Sequence, residues 1–458
     1  MNERLRVAGP SYYGLRADSN VGGERYERLL LTTLPAHGIA VRLGLPSTSP
    51  FCRAAGATSA ADTSGSAQAT DDSSAGVAAG ALAGTGDIGT SDIGTGGGGG
   101  GDVGGGLTGP PNPHLQVDCL RHDASLHWTR APRVFVPYVG RLLRAGAVDL
   151  LRGGSVRHVG PSLLIARMLV DRKQRVPIVL HHHHLDPRWA WLEASICARA
   201  DAVVTVSDHS RAALVAAGVP GDRVHVIHQG IERPVGSAPR VRTAGGPAAG
   251  LAHGADRDLW PGVSHGAGAP RGAPLRLLAF GRLESRKRPE LAVDTVAELA
   301  RQQVPAALVI AGAGSDAERA AIERRAAAAG VADRIRLLGA VDDATKWRLY
   351  DAAQALLFGS TLEGFGLVIA EAQSRGLPVI AAAGAATAEA VDPGESALLL
   401  DADPRAFADG AARLAADPEL RARMSARAID FASRFDPDVA AARVADLYRA
   451  VTSRTSRP

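Results

Sequence analysis

The sequence predicts an α/β protein made of two doubly wound domains, each with a parallel sheet, that face each other across a cleft. Strand-length apolar segments alternate with amphipathic helical segments in the first half of the chain and again from Leu275 onward. A stretch rich in Gly, Ala and Pro, residues 235–274, separates the two runs and is predicted to be a linker. Aromatic residues make up only 4% of the chain, which favours a layered α/β protein over a β-sandwich.

Residues 1–234 are predicted to form the N-terminal domain. It opens with a strand from Leu5 to Gly9, a glycine turn and amphipathic helix over Asn20 to Gly38, and a second strand from Ala40 to Leu45. Residues 53–112 are then dominated by Gly, Ala, Ser, Thr and Asp. Such a segment cannot bury enough apolar surface to offset its ordering entropy, so we predict a disordered insertion.

Order is expected to resume at Val134. Strands that end in polar turns are predicted at Val148–Gly154, Val176–His184 and Val224–Glu232. Between them, Asp201 to Gly218 predicts a strand and a helix. That helix is expected to begin at Ser207 or Asp208, because either side chain can cap its first N–H groups.

Residues 275–435 are predicted to form the C-terminal domain, in which strands alternate with helices. Four helices are predicted at Arg288–Gln303, Asp316–Gly330, Asp343–Ala353 and Gly366–Gly376. Residues 436–458 are expected to form a helix that packs back on the N-terminal domain. Doubly wound sheets bind ligands at the carboxyl ends of their strands, so we expect the functional site in the cleft between the domains.

Composition narrows the class of protein further. The net charge is +4 and no long basic run exists, which argues against a nucleic-acid-binding protein. The three cysteines, Cys52, Cys119 and Cys197, fit neither a disulfide framework nor a zinc site, so we expect a reducing cytoplasm. Neither a signal peptide nor an uninterrupted apolar span of about 18 residues is present. The sequence leaves attachment to the inner face of a membrane open.

The most informative motif lies at residues 360–372. It places Glu363 and Glu371 eight residues apart, with a Gly-Phe-Gly segment at residues 364–366 leading into a helix. The free N–H groups at a helix start suit a phosphate, and glycines let the backbone approach it closely. Glu363 can accept hydrogen bonds from sugar hydroxyls and Glu371 can reach a ribose diol. The alternative is an ordinary solvated helix start.

A second motif covers Phe280 to Lys287. A strand ends at Gly281 and presents Arg282, with Lys287 five residues further on. Lys287 is one of only three lysines among 51 basic residues. Converging guanidinium and ammonium groups suit a diphosphate that gains charge as it leaves. The alternative is a charged loop before a helix.

With these motifs, the chain resembles the family 4 (group 1) retaining glycosyltransferases, which have the GT-B fold of two Rossmann-like domains. The resemblance runs through FGRLESRK, VIAGAG, LLGAV, the two-glutamate motif, GLPVIA and DPELR, and in the first half through NVGGERY, VVTVSDHSRAAL and VHVIHQGIE. It covers nearly the whole chain apart from the two low-complexity segments. It implies transfer of a hexosyl group from a nucleotide-diphosphate sugar to a glycan, lipid or small-molecule acceptor.

The resemblance also implies roles for particular residues. Arg282 and Lys287 would bind the donor diphosphate, Glu363 the transferred sugar and Glu371 the ribose. The implied donor-binding residues are Gly22, Gly23, Gly281, Arg282, Lys287, Leu338, Gly339, Glu363, Gly364, Phe365, Gly366, Leu367 and Glu371. Catalysis would involve His183, Glu363, Arg282 and Lys287.

A run of four histidines, His181 to His184, ends one predicted strand. Neighbours in an extended chain point to opposite faces, which disfavours a shared metal ion. Relatives in the family often carry a histidine six residues after the leading proline of this strand. From Pro177 this count gives His183, with His182 and His184 as neighbours, and the implied role is to position the reacting sugar. The alternative is a histidine that caps the strand end.

The sequence departs from the family pattern after GLPVIA. It has AAGAATAEAV, where many relatives have an acidic residue and a glycine pair, although Glu389 keeps its place. This departure leaves the sugar specificity open.

The mechanism implied is attack by the acceptor hydroxyl on the face that the diphosphate leaves, without a metal or cofactor. No strand-end Asp-x-Asp metal motif stands out, since Asp401 to Asp403 is typical of a helix cap. Three alternatives are a nucleotide-sugar epimerase, a nicotinamide-dependent oxidoreductase and a non-catalytic sugar-nucleotide-binding protein. The segment Gly312-Ala313-Gly314 has two glycines but lacks the third glycine of a dinucleotide-binding turn, which disfavours the oxidoreductase.

Overall fold

A computed structural model of the chain describes residues 4–11, 22–47, 49, 114–120, 122, 126–183, 186–234, 241, 259–261 and 274–455. The insertion predicted at residues 53–112 lies outside them. So does the predicted linker, residues 235–274, apart from residues 241, 259–261 and 274.

Seven parallel strands form the first sheet, in the order β3-β2-β1-β4-β5-β6-β7. The strands are β1 (Leu5–Pro10), β2 (Ile39–Pro46), β3 (Leu115–Leu120), β4 (Leu150–Gly153), β5 (Ile178–His182), β6 (Ala202–Thr205) and β7 (Val224–Val226). Every residue of the central strands β4, β5 and β6 is buried, because helices cover both faces of a parallel sheet.

Five α-helices accompany this sheet in the described part of the chain. They are α1 (Gly22–Thr33), α2 (Ala131–Arg144), α3 (Val156–Met168), α4 (Ala190–Cys197) and α5 (Asp208–Ala216). As the sequence predicts, α5 begins next to Ser207, whose side chain accepts a hydrogen bond from the backbone N–H of Ser210. The helices α2, α3 and α4 were not predicted.

The prediction that order resumes at Val134 is wrong. The edge strand β3 precedes it and pairs along its whole length with β2. In its sequence, LQVDCL, Leu115, Val117 and Cys119 lie on one face, and only Leu120 is buried, as is usual at a sheet edge. Asp118 of β3 accepts hydrogen bonds from Arg42 of β2, at 2.7 Å, and from the hydroxyl of Tyr138 of α2, at 2.9 Å.

The cysteine expectation is also corrected. Cys119 of β3 takes part in a disulfide bond, whereas Cys197 is a free and buried thiol. Burial raises the pKa of the Cys197 thiol to about 12, so it stays protonated at neutral pH. The expectation that the cysteines form no disulfide is therefore wrong for Cys119. The cysteines no longer support the expected reducing cytoplasm.

Six parallel strands form the second sheet, in the order β10-β9-β8-β11-β12-β13. They are β8 (Leu275–Phe280), β9 (Ala306–Ala311), β10 (Ile335–Gly339), β11 (Ala355–Phe358), β12 (Val379–Ala382) and β13 (Ala397–Leu400). The helices are α6 (Pro289–Arg301), α7 (Asp316–Ala328), α8 (Asp343–Ala352), α9 (Leu367–Ser374), α10 (Ala385–Glu389), α11 (Pro404–Ala416) and α12 (Pro418–Ala432). The four helices predicted in this half are present, and Asp403 caps α11.

The last helix, α13 (Pro437–Thr455), packs against the first sheet. Its Val444 and Tyr448 are buried in one cluster with Val7 of β1 and Leu30 of α1. The hydroxyl of Tyr448 lies 2.8 Å from Nε2 of His181. No helix in the described residues is long and apolar enough to cross a bilayer.

A buried ion pair fixes α1 on the first sheet. Glu27 of α1 and Arg152 of β4 are almost fully buried, and Nη1 of Arg152 donates to Glu27 at 2.7 Å. Removing one partner of such a pair typically costs about 3–5 kcal/mol, because the other charge is left uncompensated. The pair therefore anchors α1 where its first turn borders the cleft.

Candidate active site

A cavity of about 380 Å³ lies between the two domains. It is bordered by the carboxyl ends of β4 and β5 on one side and of β8, β9 and β11 on the other. Parallel strands place their following turns at one edge of the sheet, so both sheets direct loops and helix starts into this cavity. We call the surface contributed by residues before 235 the N-wall and that contributed by residues after 274 the C-wall.

The C-wall is built around the start of α9. Gly366 has a φ of 99°, a left-handed conformation that favours glycine, and it turns the chain into the helix. The segment from Leu362 to Val368 lines the cavity, so the first N–H groups of α9 border it. This places the predicted residues Gly364 to Leu367 at the cavity surface.

Lys287 and Glu363, predicted from separate motifs, meet on the C-wall. Nζ of Lys287 forms an ion pair with Oε1 of Glu363, and the side chains are 18% and 12% exposed. Lys287 also lies 5.7 Å from the ring centroid of Phe358. A partly desolvated ammonium next to a carboxylate provides a donor and an acceptor at one point of the cavity.

Arg282 lines the cavity beside Gly281, as expected, and a further cation accompanies it. Arg282 pairs with Glu284, and Arg286 lies 2.8 Å from the same carboxylate. Arg282 is 49% exposed and Arg286 is 35% exposed, so a ligand can displace these surface ion pairs at small cost. Arg286 was not singled out from the sequence, although it stands next to Lys287.

Glu371 also lines the cavity, but several groups hold it. Its carboxylate accepts hydrogen bonds from Nζ of Lys346 and from the hydroxyl of Tyr350, both at 3.1 Å. Arg25 of α1 reaches across from the N-terminal domain to within 3.4 Å of Glu371 and 3.2 Å of Asp343. Burial and the neighbouring Glu371 charge raise the pKa of Tyr350 well above its usual value, which keeps its hydroxyl as a donor.

Arg25 and Lys346 were missed as site residues. Arg25 stands two residues after the predicted Gly22-Gly23 pair, within the quoted NVGGERY segment. Gly22 and Gly23 themselves form the first residues of α1.

Leu338 and Gly339, which are described residues, do not line the cavity themselves. The carbonyl oxygen of Gly339 accepts a hydrogen bond, at 2.7 Å, from the N–H of Gly312, and Gly312 lines the cavity. Val341, from the same predicted segment, lines it directly.

The histidines of β5 alternate as an extended chain requires. His181 is buried between the hydroxyls of Tyr26 and Tyr448. His182 points to Glu193, with Nε2 of His182 3.3 Å from Oε2 of Glu193. His183 lines the cavity, and its Nδ1 lies 3.0 Å from Nε2 of Gln229.

His184 lies outside the described residues. Among the residues that are described, no group of three His, Cys, Asp or Glu side chains is close enough to hold a metal ion.

The start of α3 adds polar groups to the N-wall that sequence reasoning did not find. Ser155, Arg157 and His158 line the cavity, and Oγ of Ser155 lies 2.9 Å from Nδ1 of His158. Burial, and then the charge of Arg157, lowers the pKa of His158 to about 4, so this imidazole is neutral near pH 7. The only sequence signal for them was a strand followed by Gly-Gly-Ser.

Glu389 links the two domains beside the cavity. Its two carboxylate oxygens accept hydrogen bonds from the backbone N–H groups of Asp208, at 2.7 Å, and His209, at 2.8 Å. A carboxylate from the second domain thus caps α5 of the first. Nε2 of His228 lies 3.5 Å from Glu389, and its ring stacks on Phe365 at a centroid distance of 5.4 Å.

Two family models match the two halves of the chain. Residues 110–233 match the model described as Glycosyltransferase Family 4, and residues 266–431 match the model described as Glycosyl transferases group 1. Together these matches contain the central strands of both sheets and almost all of the C-wall.

Curated relatives are similar over part of their length. The D-inositol 3-phosphate glycosyltransferase of Xylanimonas cellulosilytica is 33% identical over 271 residues, which cover 57% of this chain and 60% of the relative. That of Corynebacterium efficiens is 36% identical over 190 residues, which cover 40% of this chain and 45% of the relative. The chain thus spans about half the length of the curated relatives it matches.

Solved structures are similar over almost the whole chain. Anabaena HepE in complex with UDP-glucose superposes with a TM-score of 0.63 at 17% identity, covering 98% of this chain and all of HepE. Sucrose-phosphate synthase from Thermosynechococcus elongatus gives a TM-score of 0.65 at 19% identity, covering 98% of this chain and 100% of that enzyme. These likenesses show the fold: the two parallel sheets match the GT-B arrangement.

Proposed function

The chain belongs to the family 4, group 1 glycosyltransferases, and from this premise we propose that it is a retaining hexosyltransferase that uses a nucleotide-diphosphate sugar. The acceptor is proposed to be a hydroxyl group of a glycan, lipid or small molecule. The domain division expected from the sequence is part of the proposal: an acceptor-side domain over residues 1–234 and a donor-binding domain over residues 275–435.

One observation carries this proposal. Lys287 and Glu363, Glu371 and the start of α9 line the same wall of one cavity. A nucleotide sugar has a diphosphate in its middle, a hexose at one end and a ribose at the other. The ammonium and the helix start suit the diphosphate, and the two carboxylates can accept hydrogen bonds from hydroxyls at either end.

We propose uracil as the donor base. Anabaena HepE, which shares the fold, was solved with UDP and with UDP-glucose. The curated relatives carry the name D-inositol 3-phosphate glycosyltransferase, so a small polyol phosphate is the acceptor that they suggest.

In the proposed mechanism, the acceptor oxygen forms a bond to the anomeric carbon on the face from which the diphosphate leaves. The bond between that carbon and the phosphate oxygen breaks, and the departing phosphate takes the proton of the acceptor hydroxyl. Lys287, Arg282 and the α9 start stabilise the charge that develops on the leaving group. His183, oriented by Gln229, positions the hexose. These groups supply the charge stabilisation without a metal ion in this proposal.

The proposal is tested by a panel of UDP-, GDP- and ADP-sugars. We expect a UDP-sugar to raise the Tm most, and we expect NMR of the first product to show the anomeric configuration of the donor. Activity should persist in EDTA. An inverted product, or activity lost in EDTA and restored by magnesium, would refute the mechanism. Isomerisation of the donor without an acceptor would favour the epimerase alternative.

We also propose that the enzyme works at an anionic membrane surface. At the end of α3, Met168 and Leu169 are 74% and 68% exposed, and the exposed cations Arg172, Lys173 and Arg175 follow. Exposed apolar side chains beside cations suit an anionic lipid surface, where each cation contributes about 1 kcal/mol.

We expect the protein to sediment with anionic but not with zwitterionic vesicles. A Met168→Ser/Leu169→Ser double variant should no longer sediment with the anionic vesicles. Equal binding by the double variant would contradict this assignment. The cytoplasmic location stays a prediction.

A further inference from the structure

Glu193 of α4 is the central acidic group of the N-wall. Its side chain is 7% exposed and lines the cavity. Oε1 of Glu193 lies 2.9 Å from Nε of Arg157, and Oε2 lies 3.3 Å from Nε2 of His182 and 3.4 Å from the backbone N of Asp186. Both carboxylate oxygens are therefore held in fixed positions beside the cavity.

The positive charges near Glu193 are already balanced. Arg157 is the second residue of α3, at the end of the helix that favours an anion. Glu193 supplies that anion, and Asp186 lies 3.8 Å from the other side of the guanidinium. Asp186 is also paired with Arg188, at 3.0 Å, so each of these charges has a partner of opposite sign. The negative charge of Glu193 would repel a phosphate placed here. The phosphate would also have to displace Glu193 from Arg157.

His182 holds Glu193 in place. Its side chain is buried and lines the cavity, and its Nε2 lies 3.3 Å from Oε2 of Glu193. Its Nδ1 has no hydrogen-bond partner among the described residues and is itself buried, so it is not part of the cavity surface. The role of His182 is therefore to orient the carboxylate that a ligand meets.

Two aromatic rings lie beside Arg157 and do not themselves line the cavity. The guanidinium carbon of Arg157 lies 5.7 Å from the ring centroid of Trp189, and Trp128 packs edge-on against Trp189 at 5.5 Å. Flat aromatic faces pack well against the C–H faces of sugar rings, while the rims of those rings carry hydroxyls that need donors and acceptors. The aromatic pair thus lies at the edge of the N-wall, where a part of the acceptor that extends beyond the cavity can meet it.

We propose that Glu193, Arg157 and His182, with Trp189 beside them, form an acceptor subsite that takes an uncharged, hydroxyl-rich group such as a glycosyl residue. This inference rests on the proposed function and goes beyond it, because the names of the curated relatives point to a phosphorylated polyol instead. Glu193 accepts hydroxyl hydrogen bonds, Arg157 donates to hydroxyl oxygens and His182 orients Glu193. Trp189 covers an apolar face of the part of the acceptor that extends beyond the cavity.

The test compares each neutral polyol or glycoside acceptor with its phosphorylated counterpart, using one donor at saturation. The neutral form is expected to have the higher kcat/KM, by about tenfold or more, since the phosphate must be placed beside a buried carboxylate. A higher kcat/KM for the phosphorylated form overturns the proposal.

The variant Glu193→Gln sharpens the comparison. We expect it to raise the KM of the neutral acceptor about tenfold, since a hydrogen bond to a charged group is lost. The donor KM and the Tm rise caused by the donor should stay the same, which also shows that the variant is folded. Glu298→Gln, at an ion pair of α6 with Arg301 outside the cavity, serves as the matched control. If Glu193→Gln instead improves transfer to the phosphorylated acceptor, Arg157 is a phosphate site and the proposal is wrong.

Measurements of donor binding distinguish a failure of the proposed function from a failure of the acceptor subsite alone. If no nucleotide sugar binds the wild type or is hydrolysed by it, the proposed function is wrong and the acceptor subsite falls with it. If the donor binds normally but Glu193→Gln leaves acceptor KM unchanged, only the acceptor subsite is wrong.

Discussion

The two walls of the cavity hold their charges differently. On the C-wall, three cations from one loop, Arg282, Arg286 and Lys287, share two carboxylates, Glu284 and Glu363. On the N-wall, Arg157 is paired with Glu193, and Arg25 is paired with Glu371 and Asp343 of the other domain. Among the described residues, the C-wall thus offers spare positive charge, whereas both guanidinium groups of the N-wall already have carboxylate partners. In our proposal, the C-wall therefore binds the anionic donor and the N-wall binds an uncharged acceptor.

The largest expected effect is on the C-wall. Lys287→Ala should lower kcat about 10²- to 10³-fold, because a preorganised positive charge facing the leaving group is removed. Initial rates at saturating donor measure this effect. Arg324→Ala, at an exposed arginine of α7 that does not line the cavity, is the control and should keep full activity. A kcat within threefold of the wild type would show that spare positive charge does not drive the reaction.

A substitution of Glu371 tests whether this carboxylate, which has several partners in the protein, binds the ribose of the donor. Glu371→Gln should raise the donor KM about tenfold, since a charged acceptor of hydroxyl hydrogen bonds is lost. The wild type should discriminate against a donor that lacks the ribose 2′-hydroxyl, and the variant should discriminate much less. Unchanged discrimination would mean that Lys346, Tyr350 and Arg25 hold Glu371 for a structural purpose only.

Glu389 tests the link between the walls. Glu389→Ala removes the cap of α5 and should lower the free energy of unfolding by about 1 kcal/mol in a urea titration. Because His228 connects Glu389 to Phe365, we also expect a several-fold rise in donor KM. Asp403→Ala, which removes the cap of α11 away from the cavity, should cost similar stability without changing KM. Equal KM values in both variants would show that the link is only a helix cap.

The smallest expected effect concerns pH and His158 on the N-wall. Burial holds the pKa of His158 at about 4, below its ordinary value of 6.5, so the folded state binds this proton less readily than the unfolded state. The stability contributed by neutral His158 is present above pH 6.5 and is lost as pH falls toward 4. In His158→Gln, the free energy of unfolding should fall less steeply across this range. An unchanged slope would show that His158 is not held neutral by the N-wall.

The alternating strands and helices of the second half were predictable because each element carries its own periodicity and capping residues. The same holds for the C-wall, whose main groups come from two short segments, residues 280–287 and 360–371. Lys287 and Glu363 were expected at one site and are in contact.

The N-wall was mostly not predictable. Arg25, Arg157, His182 and Glu193 lie on α1, α3, β5 and α4, and only the tertiary fold brings them to one surface. Arg157 and Glu193 each look like an ordinary surface charge in the sequence. The strand β3 was missed although LQVDCL alternates apolar and polar residues, because this short pattern follows directly on residues 53–112 and its partner β2 precedes them.

The most direct test of the account is a crystal structure of the protein with a bound nucleoside diphosphate sugar. The account predicts the diphosphate against Lys287, Arg282 and the N–H groups at the start of α9, with Glu363 on the hexose and Glu371 on the ribose. A ligand bound away from this wall, or a diphosphate on the N-wall beside Arg157, would contradict it.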